Sequence, residues 1–414
     1  MKTKNNPKAG LLVVLNLLCF FSKSDLIAQS EPITWSLKVS NPLEFSRTDE
    51  VLLLPKSIVS QKFGAESHAF TVTLAGQELP SQWNEAGPDQ GLLILLPQID
   101  ANQNLEFVVS NQQSFQSFPK RTQAELSHKF GGYFENREYI GGHFENVQSL
   151  QVPAEHTDHS WFIRYEGPGW ESDLVGYRFY LDWRNGIDVF GKKVHTPVLQ
   201  GVGQDGFDSY HEPADWGMDV LKVGETLGLG SIATWENGKA RRVDETDSLY
   251  AEITNNGSIY SSILTQYYGW NLPGGKTDIQ SEISIHAGTR LSRIDLTSSA
   301  AIANFATGLI KDAKAELIKS GADLAYGYLA TYGKQSLAED KLGIAVIYPT
   351  AQVEQITEDD LSHVVVLSGE KKQLSYYILA AWEQELDGIT SQEEFKAYLD
   401  QEILKLSHPL QLSY

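Results

Sequence analysis

The chain has 414 residues, with 53 acidic against 33 basic side chains and a formal net charge of −20. An acidic surface repels phosphate backbones, which argues against nucleic acid as a partner, and it means that any anionic substrate needs a local basic patch. The length suits one very large β domain or two ordinary domains, and the composition is globular, without a low-complexity tract.

The first element is a predicted export signal. Lys2, Lys4 and Lys8 precede an apolar run from Leu11 to Phe21, and the small residue Ala28 follows. This is the layout of a secretory signal, so we expect cleavage after Ala28, removal of residues 1–28, and a periplasmic or secreted location. The apolar run is too short to span a bilayer and no later stretch is long enough, which predicts a protein without a membrane span.

Cleavage after Ala28 would also change the chemistry that the chain can carry. It removes Cys19, the single cysteine, and the loss of four lysines and one aspartate takes the net charge from −20 to −23. A mature chain without cysteine has no disulfide, no thiol nucleophile and no cysteine metal ligand. Rossmann and P-loop glycine spacings are absent as well, which argues against nucleotide chemistry.

Short apolar or alternating runs predict β-strands along most of the chain. The predicted strands are WSLKVSN, EVLLLP, AFTVTLAG, GLLILLP and LEFVVSN between Ile33 and Val109, then SWFIRYE, VGYRFYLDW, SIYSSILTQYYGW and SEISIHAG, and finally LGIAVIYP, HVVVLSG and QLSYYILAAW. A polar connector from Ser110 to Gln123 separates the first set from the rest. Residues 300–319 fit a helix or a strand equally well.

One helix is predicted, close to the C-terminus. Ser391 and Glu394 form a capping box, and an apolar face at helical spacing follows it, made by Phe395, Tyr398, Leu399, Ile403 and Leu406. Many strands without alternating long helices predict a mainly β protein, a large antiparallel β-sandwich over residues 29–414. An N-terminal β sub-domain over residues 31–110 is an option within it.

Histidines and tryptophans are concentrated in the middle of the chain. Six of the ten histidines lie between residues 128 and 211, and six of the nine tryptophans lie between residues 161 and 270. Aromatic faces pack on the C–H faces of sugar rings, which makes Trp170 and Trp216 candidate sugar-binding residues. The same side chains could equally fill a sandwich core, so the clustering is the signal rather than any one tryptophan.

Three runs in this region carry the candidate chemistry: KFGGYFENREYIGGHFENV (129–147), HTDHSWFIRYEGPGWESDLVGYRFYLDWRNGIDVFGKK (156–193) and GQDGFDSYHEPADWGMDVLKVG (203–224). Within the second, a strand would place Arg178, Tyr180 and Asp182 on one face. Arg178, Arg184, Lys192 and Lys193 form a basic concentration inside an acidic protein.

Each run also has a plainer interpretation. His156 and His159, with Asp158 between them, resemble a metal-binding pair, but a structural role is favoured for a lone H-x-x-H. Arg178 and Asp182 could be a buried ion pair, and Asp215 and Asp219 could cap a turn or bind calcium. A divalent cation therefore stays open as a cofactor, and the sequence requires none.

The three runs, together with the late ILAAWEQE, resemble a family of exported bacterial proteins encoded in polysaccharide-utilisation clusters and long of unknown function. The resemblance covers nearly the whole mature chain. It implies a supersandwich of the galactose-mutarotase type, shared with several polysaccharide lyases. One branch is similar to oligosaccharide dehydratases that act on ulvan fragments, removing water from a terminal glucuronic or iduronic acid to leave a 4,5-unsaturated uronate. An acidic oligosaccharide is then the expected substrate.

Such a dehydration takes the C5 proton, develops negative charge on the carboxylate, and expels the C4 hydroxyl as water. A cation must hold the carboxylate, and Arg178 and Lys222 are the leading candidates, with Arg164 or Arg184 as substitutes. His211 suits the base because its ordinary pKa is near neutrality, and Tyr210 suits the acid, with the roles exchangeable. A second proton acceptor, His143 or His156, is expected from another loop because glucuronate and iduronate present C5–H on opposite faces.

Three other functions stay open from the residues alone. They are a non-catalytic sugar-binding protein, a polysaccharide lyase that cleaves the chain, and a sugar epimerase. The concentration of histidine, arginine and carboxylate side chains exceeds what sugar stacking requires, which favours an enzyme.

Overall fold

The computed structural model describes residues 1, 32–114, 116–206, 208–321 and 324–414. The predicted signal segment, residues 1–28 with Cys19, falls on residues outside this set, so export stays a prediction. Among the described residues, no helix has the length and apolar character needed to cross a membrane.

The N-terminal part, up to Ser110, consists of seven strands and one short helix within the described residues. Their bounds are β1 Thr34–Ser40, β2 Arg47–Pro55, α1 Lys56–Phe63, β3 Thr71–Leu74, β4 Gln77–Leu79, β5 Ser81–Asn84, β6 Gly91–Ile99 and β7 Asn104–Ser110.

The middle of the chain, which holds the three candidate runs, has eight further strands. Their bounds are β8 Thr122–Glu125, β9 Ser127–Glu135, β10 Glu138–Asn146, β11 Ser149–Gln151, β12 Gly169–Ser172, β13 Val175–Phe179, β14 Ile187–Lys192 and β15 Gly217–Asp219.

The remainder contains longer strands and the second helix. Their bounds are β16 Ala233–Glu236, β17 Lys239–Arg242, β18 Ser248–Asn256, β19 Tyr260–Leu272, β20 Gly275–His286, β21 Ser292–Ser298, β22 Asn304–Ile310, β23 Ala315–Lys319, β24 Tyr326–Gly333, β25 Leu342–Pro349, β26 Val353–Glu358, β27 Ser362–Ser368, β28 Gln373–Trp382, α2 Gln392–Ser407 and β29 Gln411–Ser413.

A nine-stranded sheet in the order β11-β18-β19-β20-β21-β28-β25-β24-β23 organises the fold. It is accompanied by two five-stranded sheets, β15-β14-β13-β12-β8 and β17-β16-β22-β27-β26. Within the described residues the strand pairs of these sheets are antiparallel. The predicted mainly β class, with antiparallel sheets and a C-terminal helix, is therefore confirmed.

The main core lies between the nine-stranded sheet and the two five-stranded sheets. Trp170 and Tyr177 of β12 and β13 join Trp270 of β19 in one buried cluster with Ile344 of β25. Alternate residues of β25, such as Ala345, face the other way and pack on α2. A sheet buried on both faces reads as a continuous apolar run, which is how LGIAVIYP appears in the sequence.

Helix α2 covers the outer face of the nine-stranded sheet through Phe395, Leu399 and Ile403. It begins with the predicted capping box: the hydroxyl of Ser391 accepts a hydrogen bond from the backbone N–H of Glu394, and the carboxylate of Glu394 accepts one from the backbone N–H of Ser391. The backbone N–H groups of Ser391 and Glu394, which have no acceptor within the helix, are thereby satisfied.

Replacing Ser391 with alanine is expected to lower the free energy of unfolding by about 1 kcal/mol, because the N–H of Glu394 loses its acceptor. Urea unfolding followed by circular dichroism measures the change. Ser391→Asp, which restores an acceptor, should recover most of the loss. An unchanged stability in Ser391→Ala would contradict this role for the cap.

The N-terminal strands form two smaller sheets, β29-β1-β7-β3-β4 and β2-β6-β5, around their own buried cluster, which includes Leu54, Ile94 and Phe107. The C-terminal strand β29 pairs with β1, with Val39 opposite Leu412. The chain end therefore completes a sheet that begins at residue 34. Residues Ile33–Tyr414 form one compact unit, and the sub-domain boundary stays a prediction.

One predicted strand is wrong, and two further segments had no assignment from the sequence. SWFIRYE is not a strand: Arg164–Glu166 form a short 3-10 turn, and the backbone at Trp161, Tyr165 and Glu166 is left-handed, which is incompatible with a pleated strand. Helix α1 was not predicted, and the ambiguous residues 300–319 contain β22 and β23 rather than a helix.

Candidate active site

The sheet β15-β14-β13-β12-β8 has one apolar and one charged face. Trp170, Tyr177 and Val189 point into the main core. Across neighbouring strands, Arg178 pairs with Asp188 on one side and with Gly169 on the other, and Gly169 pairs with Glu125. Residues paired in this way lie on the same face of the sheet, here the face turned away from the main core. All three charged residues on that face are buried. Buried charges must be paired, which makes this face the place to look for chemistry.

Arg178 is the centre of the charged face. Its guanidinium donates to Asp188 Oδ2 at 2.7 Å and 3.1 Å, to Asp219 Oδ2 at 2.5 Å, and to the hydroxyl of Tyr210 at 2.7 Å. The hydroxyl of Tyr180 also donates to Asp188, at 2.6 Å. The predicted Arg178–Asp182 pair is therefore wrong: strand β13 ends at Phe179, and Asp182 instead accepts from Arg184.

Asp219 links this buried cluster to the surface. Burial, and then the neighbouring charge of Asp188, raise the pKa of Asp219 well above its usual range, while Arg178 opposes the shift. Two carboxylates that share one arginine hold a proton more readily than a single carboxylate does. The Nε2 atom of His211, whose side chain is 35% exposed, lies 3.4 Å from Asp219 Oδ2. His211 and Asp219 thus form a histidine–carboxylate dyad with its histidine at the surface.

A second dyad lies on the chain between β11 and β12. The Nδ1 atom of His159 lies 2.5 Å from Asp158 Oδ1, and the His159 side chain is 53% exposed. Arg184 contacts Asp158 at 2.8 Å and Glu166 at 2.8 Å. Glu166 in turn lies 3.8 Å from Arg178, so an arginine–carboxylate network joins the two dyads.

Glu166 is the anion between the two arginines. Burial alone would raise its pKa, but the guanidinium groups of Arg178 and Arg184 lower the pKa of Glu166 to about 2. The side chain is therefore ionised at any physiological pH. Its Oε1 also accepts a hydrogen bond from the backbone N–H of His159 at 3.0 Å, which fixes the second dyad relative to Arg184.

The backbone that carries the second dyad is strained. His159 (φ 57°), Trp161 (φ 61°), Tyr165 (φ 38°) and Glu166 (φ 70°) are left-handed within eight positions, and none is glycine. Each such residue costs of order 1–3 kcal/mol, and clusters of them persist where the surrounding structure imposes a geometry that function needs. Here the imposed geometry brings Asp158 and Glu166 to the same arginine, Arg184.

The exposed side of the cluster opens onto a shallow depression of about 670 Å³, lined by Asp205, Asp208, Ser209, His211 and Glu212. The two dyad-bearing loops adjoin there, since a Cβ atom at Gly206 would lie 3.6 Å from the ring of Trp161. A ligand in this depression meets His211 directly, with Trp161 at the adjoining edge.

A metal would find one set of ligands in the described part of the cluster. One ligand atom each from Asp158, His159 and Glu166 lie within 4.8 Å of one another. Arg184 already supplies positive charge to both carboxylates. The predicted pairing of His156 with His159 does not form, because His156 is buried and bonded to Ser160.

Several predicted substrate-binding residues lie too deep to touch a ligand. Arg164 is 0% exposed; it pairs with Glu125 at 2.5 Å and donates to the carbonyls of Leu199 and Val202. It therefore pins the covering loop to the sheet. Trp170 is 1% exposed in the main core, where its indole N–H donates to Ser292. Lys192, part of the predicted basic concentration, is buried against Glu171.

The remaining predicted residues divide between the cluster and the periphery. Tyr210 is 2% exposed, and burial raises its pKa, so the hydroxyl stays protonated. The hydroxyl oxygen accepts a hydrogen bond from the guanidinium of Arg178. Half-buried Trp216 packs edge-on against Phe190. His143 is 70% exposed on the β9–β10 hairpin and pairs with Glu145. Lys222 is exposed and makes no ion pair with the described residues of the cluster.

His156 lies beneath the second dyad as a buried, uncharged ring. Its Nδ1 is 2.7 Å from the hydroxyl of Ser160, and its buried Nε2 has no hydrogen-bond partner among the described residues. Burial lowers the pKa of His156 to about 4 from an ordinary value of 6.5. A neutral, enclosed imidazole can support the loop but is badly placed to exchange protons with a substrate.

The low pKa of His156 predicts an acid-sensitive fold. Between pH 6.5 and pH 4 the unfolded chain binds a proton at this residue and the folded chain does not, so stability falls as pH falls. The loss is about 3 kcal/mol across that window. Urea unfolding of wild type and His156→Asn at pH 7, 5.5 and 4 measures it, and the variant should show a shallower decline. Parallel pH profiles would contradict the assignment.

The sequence analysis missed three members of this site. Asp188 and Glu166, the carboxylates that hold the two arginines, were not candidates, and His159 was considered only as a metal ligand. The Asp158-His159 dipeptide was a usable signal, because a carboxylate next to a histidine can hold its ring. The Arg178–Asp188 pair depends on strand register and has no local signature.

Comparisons with known proteins identify the family of this chain and leave its activity open. The model of a family described as a domain of unknown function (DUF4861) matches residues 39–412, so the chain belongs to that family. A search of curated protein sequences finds no match.

Two solved structures from Enterococcus faecalis are similar over 92% of this chain. One is a protein in glycosyl hydrolase family 38, with 7% identity and a TM-score of 0.46, of which 47% is covered. The other is an α-mannosidase from strain V583, with 9% identity and a TM-score of 0.45, of which 46% is covered. The chain thus spans about half the length of each.

Proposed function

We propose that this member of the DUF4861 family is an oligosaccharide dehydratase, a carbon–oxygen lyase that removes water from a terminal uronic acid of an acidic, ulvan-type oligosaccharide. One observation carries the proposal: two histidine–carboxylate dyads, His211–Asp219 and His159–Asp158, belong to one ion-pair network on adjoining loops. The reaction needs a base and an acid at one sugar ring, and the two dyads provide one of each.

In the proposed reaction, His211 takes the C5 proton and the electrons of the C5–H bond form the C4=C5 double bond. The C4–O bond breaks, and the oxygen leaves as water after receiving a proton from His159. Asp219 lies 3.4 Å from Nε2 of His211 and orients its ring, as the buried aspartate of a catalytic triad orients its histidine. Proton exchange with solvent resets both rings. No bond of the chain between sugars is broken.

The substrate carboxylate requires a positive partner as charge develops on it. Arg178 and Arg164 are enclosed by protein groups, so we assign this role to Arg184, whose side chain is 10% exposed and whose partner Asp158 is 35% exposed. The substrate carboxylate would take the place of Asp158 on this guanidinium, while Asp182 and Glu166 stay bound to it. Arg178 then acts as a positioning residue through Asp219 and Tyr210. This differs from the sequence-based ranking, in which Arg178 and Lys222 came first.

Glucuronate and iduronate differ in the ring face from which the C5 proton must be removed. In glucuronate the C5 hydrogen and the C4 hydroxyl lie on the same ring face, whereas in iduronate they lie on opposite faces. Two separate dyads suit the second case, in which the base and the acid act from opposite faces. In the first case one histidine can take the C5 proton and pass it to the leaving oxygen on the same face. Both epimers are therefore expected to react, as the resemblance to dehydratases of ulvan fragments implies.

The test is incubation with saturated, uronate-terminated rhamnose-sulfate oligosaccharides, followed by mass spectrometry and ultraviolet absorbance. The expected product has lost one water and absorbs as a conjugated unsaturated acid. Shorter chains would instead indicate a chain-cleaving lyase, and C5 exchange without unsaturation an epimerase. Recovery of unchanged oligosaccharide across glucuronate and iduronate substrates would end the dehydratase proposal.

The proposal extends to location. Residues 1–28 have the layout of an export signal, and an acidic oligosaccharide released outside the cell would be met in the periplasm or beyond it. N-terminal sequencing of protein secreted by a bacterial host should begin at Gln29. Retention of Met1 in the cell-associated protein would contradict this part.

A further inference from the structure

A cavity larger than the depression beside His211 lies away from the candidate active site. It is a cleft of about 850 Å³ whose walls are β2 of the N-terminal part, the ends of β20 and β21, and helix α2. Binding sites occur preferentially where separate structural layers meet, and this volume lies within the usual range for ligand sites. We call it the helix cleft.

Tyrosines supply the aromatic surface of the helix cleft. Tyr326, Tyr377 and Tyr398 line it and are each half-buried. The rings of Tyr326 and Tyr377 meet edge to face with centroids 6.0 Å apart, and the guanidinium of Arg290 lies 5.5 Å from the centre of the Tyr398 ring. Rings held in this way offer an apolar face and a hydroxyl without much loss of side-chain freedom on binding.

The charges that line the helix cleft balance, in contrast to the acidic chain as a whole. Four cations, Arg47, Arg290, Arg293 and Lys405, line it with four anions, Asp49, Glu50, Asp89 and Glu402. The cations are already paired: Arg47 with Glu50 at 3.0 Å, Arg293 with Asp89 at 3.0 Å, Lys405 with Glu402 at 2.9 Å, and Arg290 with Glu385 at 2.7 Å. An anionic ligand gains no unshared cation there.

Paired arginine and carboxylate groups nevertheless suit a ligand rich in hydroxyls. The arginine offers fixed N–H donors and the carboxylate offers acceptors a few ångströms away, so adjacent hydroxyls of one sugar can donate to one group and accept from the other. A pair must be partly exposed to contact a ligand in this way, and the side chains of Arg293 and Asp89 are 25% and 21% exposed. His286 and Gln401 add further polar groups to the wall.

We propose that the helix cleft is a second carbohydrate-binding site, for a neutral oligosaccharide of about two to four sugar units. The ligand is neutral because each cation that lines the cleft is paired with a carboxylate. It is a sugar because the cleft combines tyrosine rings with paired hydrogen-bond donors and acceptors. The proposal does not depend on the reaction assigned to His211 and His159, since the two sites share no residue.

Titration calorimetry with cellotriose, xylotriose and mannotriose tests this on the full mature chain. We expect binding of at least one neutral trisaccharide, weakened more than about tenfold in Gln401→Trp, because an indole on this exposed wall position fills the cleft. Glu393→Trp, on the same helix outside the cleft, is the matched control and should bind as wild type does. His211→Ala should also bind normally, which separates this site from the active site.

A smaller change gives an independent readout. Tyr377→Phe removes one hydroxyl without opening a cavity, and a lost hydrogen bond should weaken binding several-fold. Melting temperatures of the variants should match that of wild type within error. Absence of binding by all three trisaccharides, full affinity in Gln401→Trp, or tighter binding of a uronate-terminated trisaccharide than of a neutral one would each overturn the proposal.

Discussion

Replacement of His211 by alanine is expected to lower kcat for uronate dehydration by about 10²–10⁴-fold, the usual effect of removing a general base. His211 is the histidine whose ring lines the open depression, and it lies 3.4 Å from the buried Asp219. The folded state should tolerate the change, because a third of the side chain is exposed. Steady-state kinetics and melting temperature, measured together, separate loss of chemistry from loss of structure.

A matched control is present elsewhere in the chain. His68 lies 3.4 Å from Glu85, the same separation as in the dyad, on the N-terminal part of the molecule. His68→Ala should leave kcat unchanged. If His211→Ala retained more than a tenth of the activity, or if His68→Ala reduced activity equally, the assignment of the base would be wrong.

Replacement of Arg178 by methionine is expected to lower the free energy of unfolding by about 3–5 kcal/mol, because removing one partner of a buried ion pair leaves uncompensated charge. Arg178 is 3% exposed and bonds both Asp188 and Asp219, which are themselves buried. Urea unfolding at pH 7 measures the loss. Activity should fall as well, since Asp219 would no longer be held beneath His211.

The partners of Arg178 make this prediction specific. Adding Asp188→Asn and Asp219→Asn to Arg178→Met removes the stranded charges and should recover part of the stability. Arg241→Met is the surface control: its three carboxylate partners lie at 3.4–4.0 Å near solvent, and its loss should cost less than about 1 kcal/mol. Equal losses for Arg178 and Arg241 would contradict a buried network.

The strands and the terminal helix could be predicted because their signals are local. Alternation and apolar runs mark β1, β6, β19 and β28, and Ser391 with Glu394 marks the start of α2. Helix α1 follows directly on strand β2 at Pro55 and has no side-chain cap. It is eight residues long, which is too short to show a helical period in the apolar residues. Short elements determined by tertiary contacts leave little trace in a single sequence.

The charged sheet face could be located but not resolved from sequence. Strand β13 is buried on both faces, and the sequence pattern offered Asp182, rather than Asp188 or Asp219, as the partner of Arg178. Its partners are Asp188 on strand β14 and Asp219 on strand β15, and Asp219 lies 41 positions after Arg178 in the sequence. Only the register of the three strands brings these side chains together. The predicted basic patch is therefore a neutralised network.

The second dyad was obscured by backbone geometry. SWFIRYE has the composition of a strand, and in an extended chain Asp158 and Glu166 would not reach the same arginine. Left-handed residues at His159, Trp161, Tyr165 and Glu166 turn the chain so that both contact Arg184. Strain of this kind is imposed by the surrounding structure, and composition does not predict it.

The most direct test of the proposed reaction is dehydration in water enriched in oxygen-18. An iduronate-terminated oligosaccharide with its original reducing end converted to an alditol should yield an unsaturated product lighter by one water and free of heavy oxygen, because the reaction only removes an oxygen from C4. His159→Ala and His211→Ala should each suppress that product. Incorporation of oxygen-18 at a new reducing end, or an unchanged substrate mass, would contradict the account.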